Sequence, residues 1–137
     1  MKVVLDTNIL LVSVPKISKY RLIFDKIINE DIDIVVSNEI FTEYLEVFSL
    51  KFNSQIANNI LSYLNIKDNV FKSHIHYKYD LISRDPDDNK FIDAYLNSNC
   101  DYLVTNDKHF NFIKNLEHPN INILNIDEFI KVLSKID

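Results

Sequence analysis

The apolar positions along the chain switch between two periods. Val3-Val4-Leu5 is a continuous run that predicts a buried strand and stops at Asp6-Thr7-Asn8. Ile9 to Val14 continues apolar into a short helix that Pro15 ends. Between Ser18 and Asn29, Leu22, Ile23, Ile27 and Ile28 recur at helical spacing with charged residues between them. The β-branched stretch Ile32–Val36 predicts a second strand, and Ser37 reads as the N-cap of a helix from Asn38 to about Phe48. A helix over Gln55–Leu64 follows. Ile75, Tyr77, Tyr79 and Leu81 alternate with polar residues, predicting a third, edge-like strand over Ile75–Ile82. Asp85-Pro86-Asp87-Asp88 is a helix start, with a capping acid, proline at the first helical position and acids in the first turn. The helix it opens, Asn89–Asn97, buries Phe91, Ile92, Tyr95 and Leu96. A strand at Tyr102–Thr105, a short helix around Phe110–Leu116, a strand at Ile121–Leu124 and a helix over Asp127–Leu133 complete the pattern.

Strands alternating with helices through short connections predict an α/β fold, a parallel sheet flanked by helices. The 137 residues suit one domain, residues 1–137, large enough to bury a core without disulfide or metal staples. A lone cysteine, Cys100, fits a reducing compartment. The first apolar run reaches Asp6 almost at once, and no stretch approaches the roughly 20 apolar residues of a membrane helix. The expectation is a soluble, cytoplasmic domain with no membrane partner. The chain has no glycine, which excludes glycine-rich phosphate loops and leaves tight turns to Asn and Asp. Its net charge of −5 is the wrong sign for a whole-surface nucleic-acid binder, so a phosphate partner needs a local basic patch or bound cations.

In a parallel sheet, binding sites form outside the carboxyl ends of the strands. Asp6 ends the first strand, Asp107 follows the strand that finishes at Thr105, and the Asp85–Asp88 cluster opens a helix. Glu43 lies about two turns into the helix after the second strand, with apolar Ile40, Tyr44 and Val47 around it. Taken singly, Asp6, Asp85, Asp87, Asp88 and Asp107 are explained as helix caps and dipole partners, and Glu43 as a solvated helix charge. Together, four carboxylates at one sheet edge repel one another unless a cation joins them. Hard oxygen donors select Mg²⁺ or Mn²⁺, which keep waters able to attack a phosphodiester. No Cys–His or His–His spacing offers a zinc site.

Four segments carry a family likeness: Val3–Leu10, Val35–Val47, Arg84–Phe91 and Asp101–Phe110. In their order and spacing the chain resembles the PIN-domain ribonuclease family, within it the VapC-like toxin components of toxin–antitoxin systems. The resemblance implies a three-layer α/β/α fold with a central parallel sheet. It also implies Mg²⁺- or Mn²⁺-dependent endonucleolytic cleavage of single-stranded RNA, leaving 5′-phosphate and 3′-hydroxyl ends. Carried over by position, the acids are Asp6, Glu43, Asp88 and Asp107, serving both as catalytic residues and as metal ligands. Asn8 and Thr105 match polar positions that orient the first and last acids, and Ser37 matches the cap before the Glu43 helix. For the third acid Asp85 and Asp87 remain contenders, and alignment back from Thr105 without a gap selects Asn89. The family's usual glycines after the first and third helices are absent. A homodimer and an antitoxin protein covering the acidic site are implied partners.

Arg84, Lys90, Lys108 and His109 flank the acids and are candidate RNA-phosphate contacts, with solvated surface charge as the plain alternative. Tyr20, Tyr44 and Tyr79 could stack bases, though packing explains each as well. Two other classes compete. One is a catalytically inactive PIN-like RNA- or protein-binding module, with Asn89 marking a degraded quartet. The other is a phosphoaspartate receiver, whose paired acid near the first strand is missing at Asp6-Thr7.

Overall fold

The computed structural model describes residues 1–74, 77–81 and 88–136. Its strands are β1 (Lys2–Leu5), β2 (Asp33–Val36), β3 (Val70–Lys72), β4 (Tyr102–Val104) and β5 (Ile123–Leu124). Its α-helices are α1 (Thr7–Ser13), α2 (Arg21–Ile28), α3 (Asn38–Lys51), α4 (Ser54–Asn65), α5 (Asn89–Asn97) and α6 (Ile126–Leu133). Short 3₁₀ turns span Lys108–Phe110 and Ile113–Asn115.

The five strands form one parallel sheet in the order β3-β2-β1-β4-β5. β1 takes the centre, where Val3, Val4 and Leu5 are fully buried. It is aligned with β4 through Val3↔Tyr102, Val4↔Leu103 and Leu5↔Val104. That register sets the carboxyl ends of the two strands side by side. α3 and α5 pack on the sheet, with α4 against α3, while α6 covers β5 and meets α2. The result is the α/β/α arrangement with a central parallel sheet. No helix among the described residues is long and apolar enough to cross a membrane.

The third strand differs from expectation. It is Val70–Lys72, aligned with β2 through Ile34↔Val70 and Val35↔Phe71. Residues 77–81 form no strand, and Ile75, His76 and Ile82 lie outside the described residues, as does the start Asp85-Pro86-Asp87. The alternation there reports local exposure: Tyr77 is exposed, and its ring meets Tyr79 edge-on at 4.6 Å. α3 also runs three residues past its expected end. Without glycine, positive φ falls on Glu30 (61°), Asp80 (52°) and Asn99 (52°). Asp and Asn tolerate that region; a glutamate there is uncommon.

Candidate active site

Asp6 leaves β1 and caps α1, its Oδ1 accepting from the Thr7 amide at 2.7 Å. Its backbone N–H donates to the Val104 carbonyl at 3.0 Å, which extends the β1–β4 pairing by one step. The Thr105 hydroxyl, one residue past β4, donates to Asp6 Oδ2 at 2.7 Å and accepts from the Asp107 amide at 3.0 Å. One buried hydroxyl therefore fixes both acids. Asp107 in turn caps the 3₁₀ turn, accepting from the His109 amide at 2.9 Å.

The other two acids come from helices. Ser37 starts α3 by accepting from the Ile40 amide at 3.2 Å, which sets Glu43 in the second turn. Glu43 Oε2 accepts from the Thr7 hydroxyl, and Oε1 lies 2.9 Å from Lys90 Nζ. Asp88 stands immediately before α5 without capping it. Its Oδ2 is 3.4 Å from His109 Nδ1, and the same nitrogen is 3.4 Å from Asp107 Oδ1. Asp6, Thr7, Asn8, Glu43, Asp88, Asn106 and Asp107 all line one cavity of about 520 Å³.

Burial pushes the Asp6 carboxyl above its ordinary range, and the Glu43 and Asp107 charges push it the same way. The Thr105 and Thr7 hydrogen bonds oppose this without cancelling it. Beneath the site the Tyr44 hydroxyl donates to the Leu5 carbonyl at 2.5 Å. Burial, then the Asp6 and Glu43 charges, hold the Tyr44 phenol well above its usual value. It stays a neutral donor that pins the end of β1.

The cavity suits a divalent cation by its donor chemistry. Four carboxylates line it, matching the oxygen preference of Mg²⁺ and Mn²⁺. A carboxylate that resists ionisation between two others is relieved by positive charge. Among the described residues, Asp88, Asp107 and His109 each place one ligand atom within 4.8 Å of the others.

Most of the residues singled out from sequence meet here. Asn8 is exposed on the cavity wall, and Lys108 is exposed beside Asp107. Lys90 turns to Glu43 instead of to solvent. Arg84, Asp85 and Asp87 lie outside the described residues. Asn89 lines a separate cavity, its amide donating to Asp80 at 3.1 Å, while Asp88 faces the acids. Tyr44 is buried, whereas Tyr20 lines the cavity. Thr7, Tyr44 and Asn106 contribute contacts that sequence reasoning missed. Thr7 carries the one local hint, a β-branched hydroxyl beside a capping acid.

The PIN domain family matches residues 2–109, a span containing Asp6, Glu43, Asp88 and Asp107. No curated protein matches the chain. Among solved structures, it is similar to a chain in the crystal structure of VapBC2 from Rickettsia felis bound to a DNA fragment from their promoter. The TM-score is 0.64 at 17% identity, over 91% of this chain and 98% of that one, which is a likeness of fold. With the family match extending over most of its length, the chain belongs to the PIN-domain family.

Proposed function

We propose that this protein is a single-domain, Mg²⁺- or Mn²⁺-dependent endoribonuclease that cuts single-stranded RNA as the toxin of a toxin–antitoxin pair. The observation that carries the reading is the convergence of Asp6, Glu43, Asp88 and Asp107 on one cavity at the carboxyl ends of β1 and β4. PIN domains are generally nucleases. The VapBC2 assembly of the structural neighbour supports an antitoxin partner. The cytoplasm and a homodimeric state belong to the same reading.

Asp6, Asp88 and Asp107 would hold the ion, with Glu43 beside them. When bound, a divalent ion supplies Lewis acidity, activating water and offsetting charge on the phosphate. The chain's own residues provide placement. Thr105 holds the Asp6 carboxylate and the Asp107 backbone at fixed spacing, and Tyr44 fixes the strand end from which Asp6 projects. Lys108 and Arg84 are the cations assigned to the RNA backbone, counteracting an acidic protein. The inactive-module alternative rested on Asn89 standing in the quartet, and Asn89 is engaged elsewhere.

The test is cleavage of a labelled single-stranded RNA with Mg²⁺ or Mn²⁺ by wild type, Asp6→Asn and Asp107→Asn. Cleavage that needs metal and vanishes in both variants supports the reading. Metal-independent cleavage, or cleavage that survives both substitutions, overturns it.

A further inference from the structure

Glu43 differs from its neighbours in what holds it. Asp6 is held by neutral donors, a backbone amide and a threonine hydroxyl. Glu43 is held by a hydroxyl on one oxygen and an ammonium on the other. The Lys90 side chain is only 10% exposed, and its ammonium also lies 5.0 Å from the Phe91 ring centroid. Lys90 does not line the acid cavity. It lines the adjoining depression that Glu43 shares with Glu39 and Glu46, so it reaches the carboxylate from behind.

The ion-competent group lies elsewhere. Asp88, Asp107 and His109 cluster within 4.8 Å, and among the described residues neither Glu43 nor Asp6 belongs to such a group, so what sets Glu43 apart from Asp6 is its ammonium partner. Four carboxylates with no internal cation would need about two divalent ions for neutrality. A fixed ammonium on Glu43 removes one of the four charges.

We propose that Lys90 is a positioning residue that substitutes for a second cation: it neutralises Glu43 from behind, holds it back from direct ligation, and makes the RNA-free protein a one-ion site centred on Asp88 and Asp107. This rests on the metal-dependent reading above. Lys90 thereby keeps the Glu43 side of the cavity clear of metal until nucleic acid arrives. Removing its charge uncovers the Glu43 carboxylate for a second ion. Removing both charges together restores the original balance.

The experiment is Mn²⁺ titration of the full chain without RNA, read by calorimetry and by the paramagnetic resonance of free Mn²⁺. Wild type and Lys90→Arg are expected to bind one ion per chain, and Lys90→Met two. The double variant Glu43→Gln/Lys90→Met returns to one ion, within about threefold of wild-type affinity, the scale of a weak electrostatic change. It also serves if Lys90→Met fails to fold, since it removes the Glu43 charge together with its ammonium partner. One ion in Lys90→Met at unchanged affinity overturns the role of Lys90 alone, as does loss of the first ion in the double variant. A wild type that binds no Mn²⁺ overturns this proposal and the nuclease reading together.

Discussion

Five capped turns among the described residues do the same local job with different chemistry. α3, α4 and α6 begin with neutral side chains, Ser37, Asn53 and Asn125, each accepting from a backbone amide three residues on. At α6 the arrangement is a complete capping box with Glu128. α1 and the 3₁₀ turn begin instead with Asp6 and Asp107. Ser and Asn cap about as well as Asp, so capping alone does not require a charge. At Asp6 the charge is costly, since burial and neighbouring acids disfavour ionisation. The neutral caps serve the fold; the acidic ones line the cavity and carry a charge that the fold does not need.

The most severe way to break this comparison is to convert acidic caps into neutral ones. Asp6→Asn and Asp107→Asn keep an acceptor for the capping amide, so circular dichroism should be unchanged. RNA cleavage should fall roughly a hundredfold or more, the scale of losing several kcal/mol of metal-assisted stabilisation. Retained activity with retained fold would reduce both residues to caps.

Chelation comes next. In wild type, Mg²⁺ should raise the thermal midpoint, because it binds the folded acids and relieves their repulsion. Asp6→Asn should be more stable than wild type without metal and gain less from Mg²⁺. The pH dependence has a definite sign. The folded Asp6 carboxyl holds its proton more tightly than the unfolded one, whose value is 3.8. Its contribution to stability therefore falls as pH rises from 3.8 through the raised folded value, and the penalty is full above that. The stability difference between wild type and Asp6→Asn in chelator should shrink as pH is lowered through this window. A difference independent of pH would remove the electrostatic argument.

The neutral caps should respond in the opposite way. Ser37→Ala and Asn125→Ala should each cost about 1 kcal/mol in denaturant unfolding, with no change in Mg²⁺ response. The smallest effect is expected for Asn53→Asp, which adds an acid to a cap outside the cavity. It should shift stability by only about 0.3 kcal/mol and create no metal dependence. A metal response there would mean that acidity at a helix start suffices, without the cavity.

Much of this contrast is legible along the chain. Asp6 and Asp107 follow apolar strands directly, and Ser37 followed by Ile40 marks a helix start, because caps are set by local hydrogen bonds within a few residues. Glu43 could be placed by counting turns from that cap. The Lys90–Glu43 pair could not, as 47 positions separate them and only the packing of α5 beside α3 brings them together. Lys90 therefore looked like one more basic residue beside the acids. β3 was missed for the opposite reason. Three residues show no period, and what makes Val70–Lys72 a strand is the open edge of β2. The alternation over Ile75–Ile82 is the stronger signal in sequence, yet Tyr77–Leu81 form no strand, because periodicity reports spacing and not whether a neighbouring strand is there to pair with.

The Thr105 hydroxyl also bears on how such a protein is made. It joins Asp6 to Asp107, 101 positions further along the chain, and its strand is held between β1 and β5. A growing chain that has already presented Asp6 and Glu43 lacks the strand that aligns them with Asp107, and that strand gains its outer neighbour only after Leu124 has emerged. On the ribonuclease reading, a chain still on the ribosome cannot bring its acids together before β4 and the turn that carries Asp107 have emerged to meet β1.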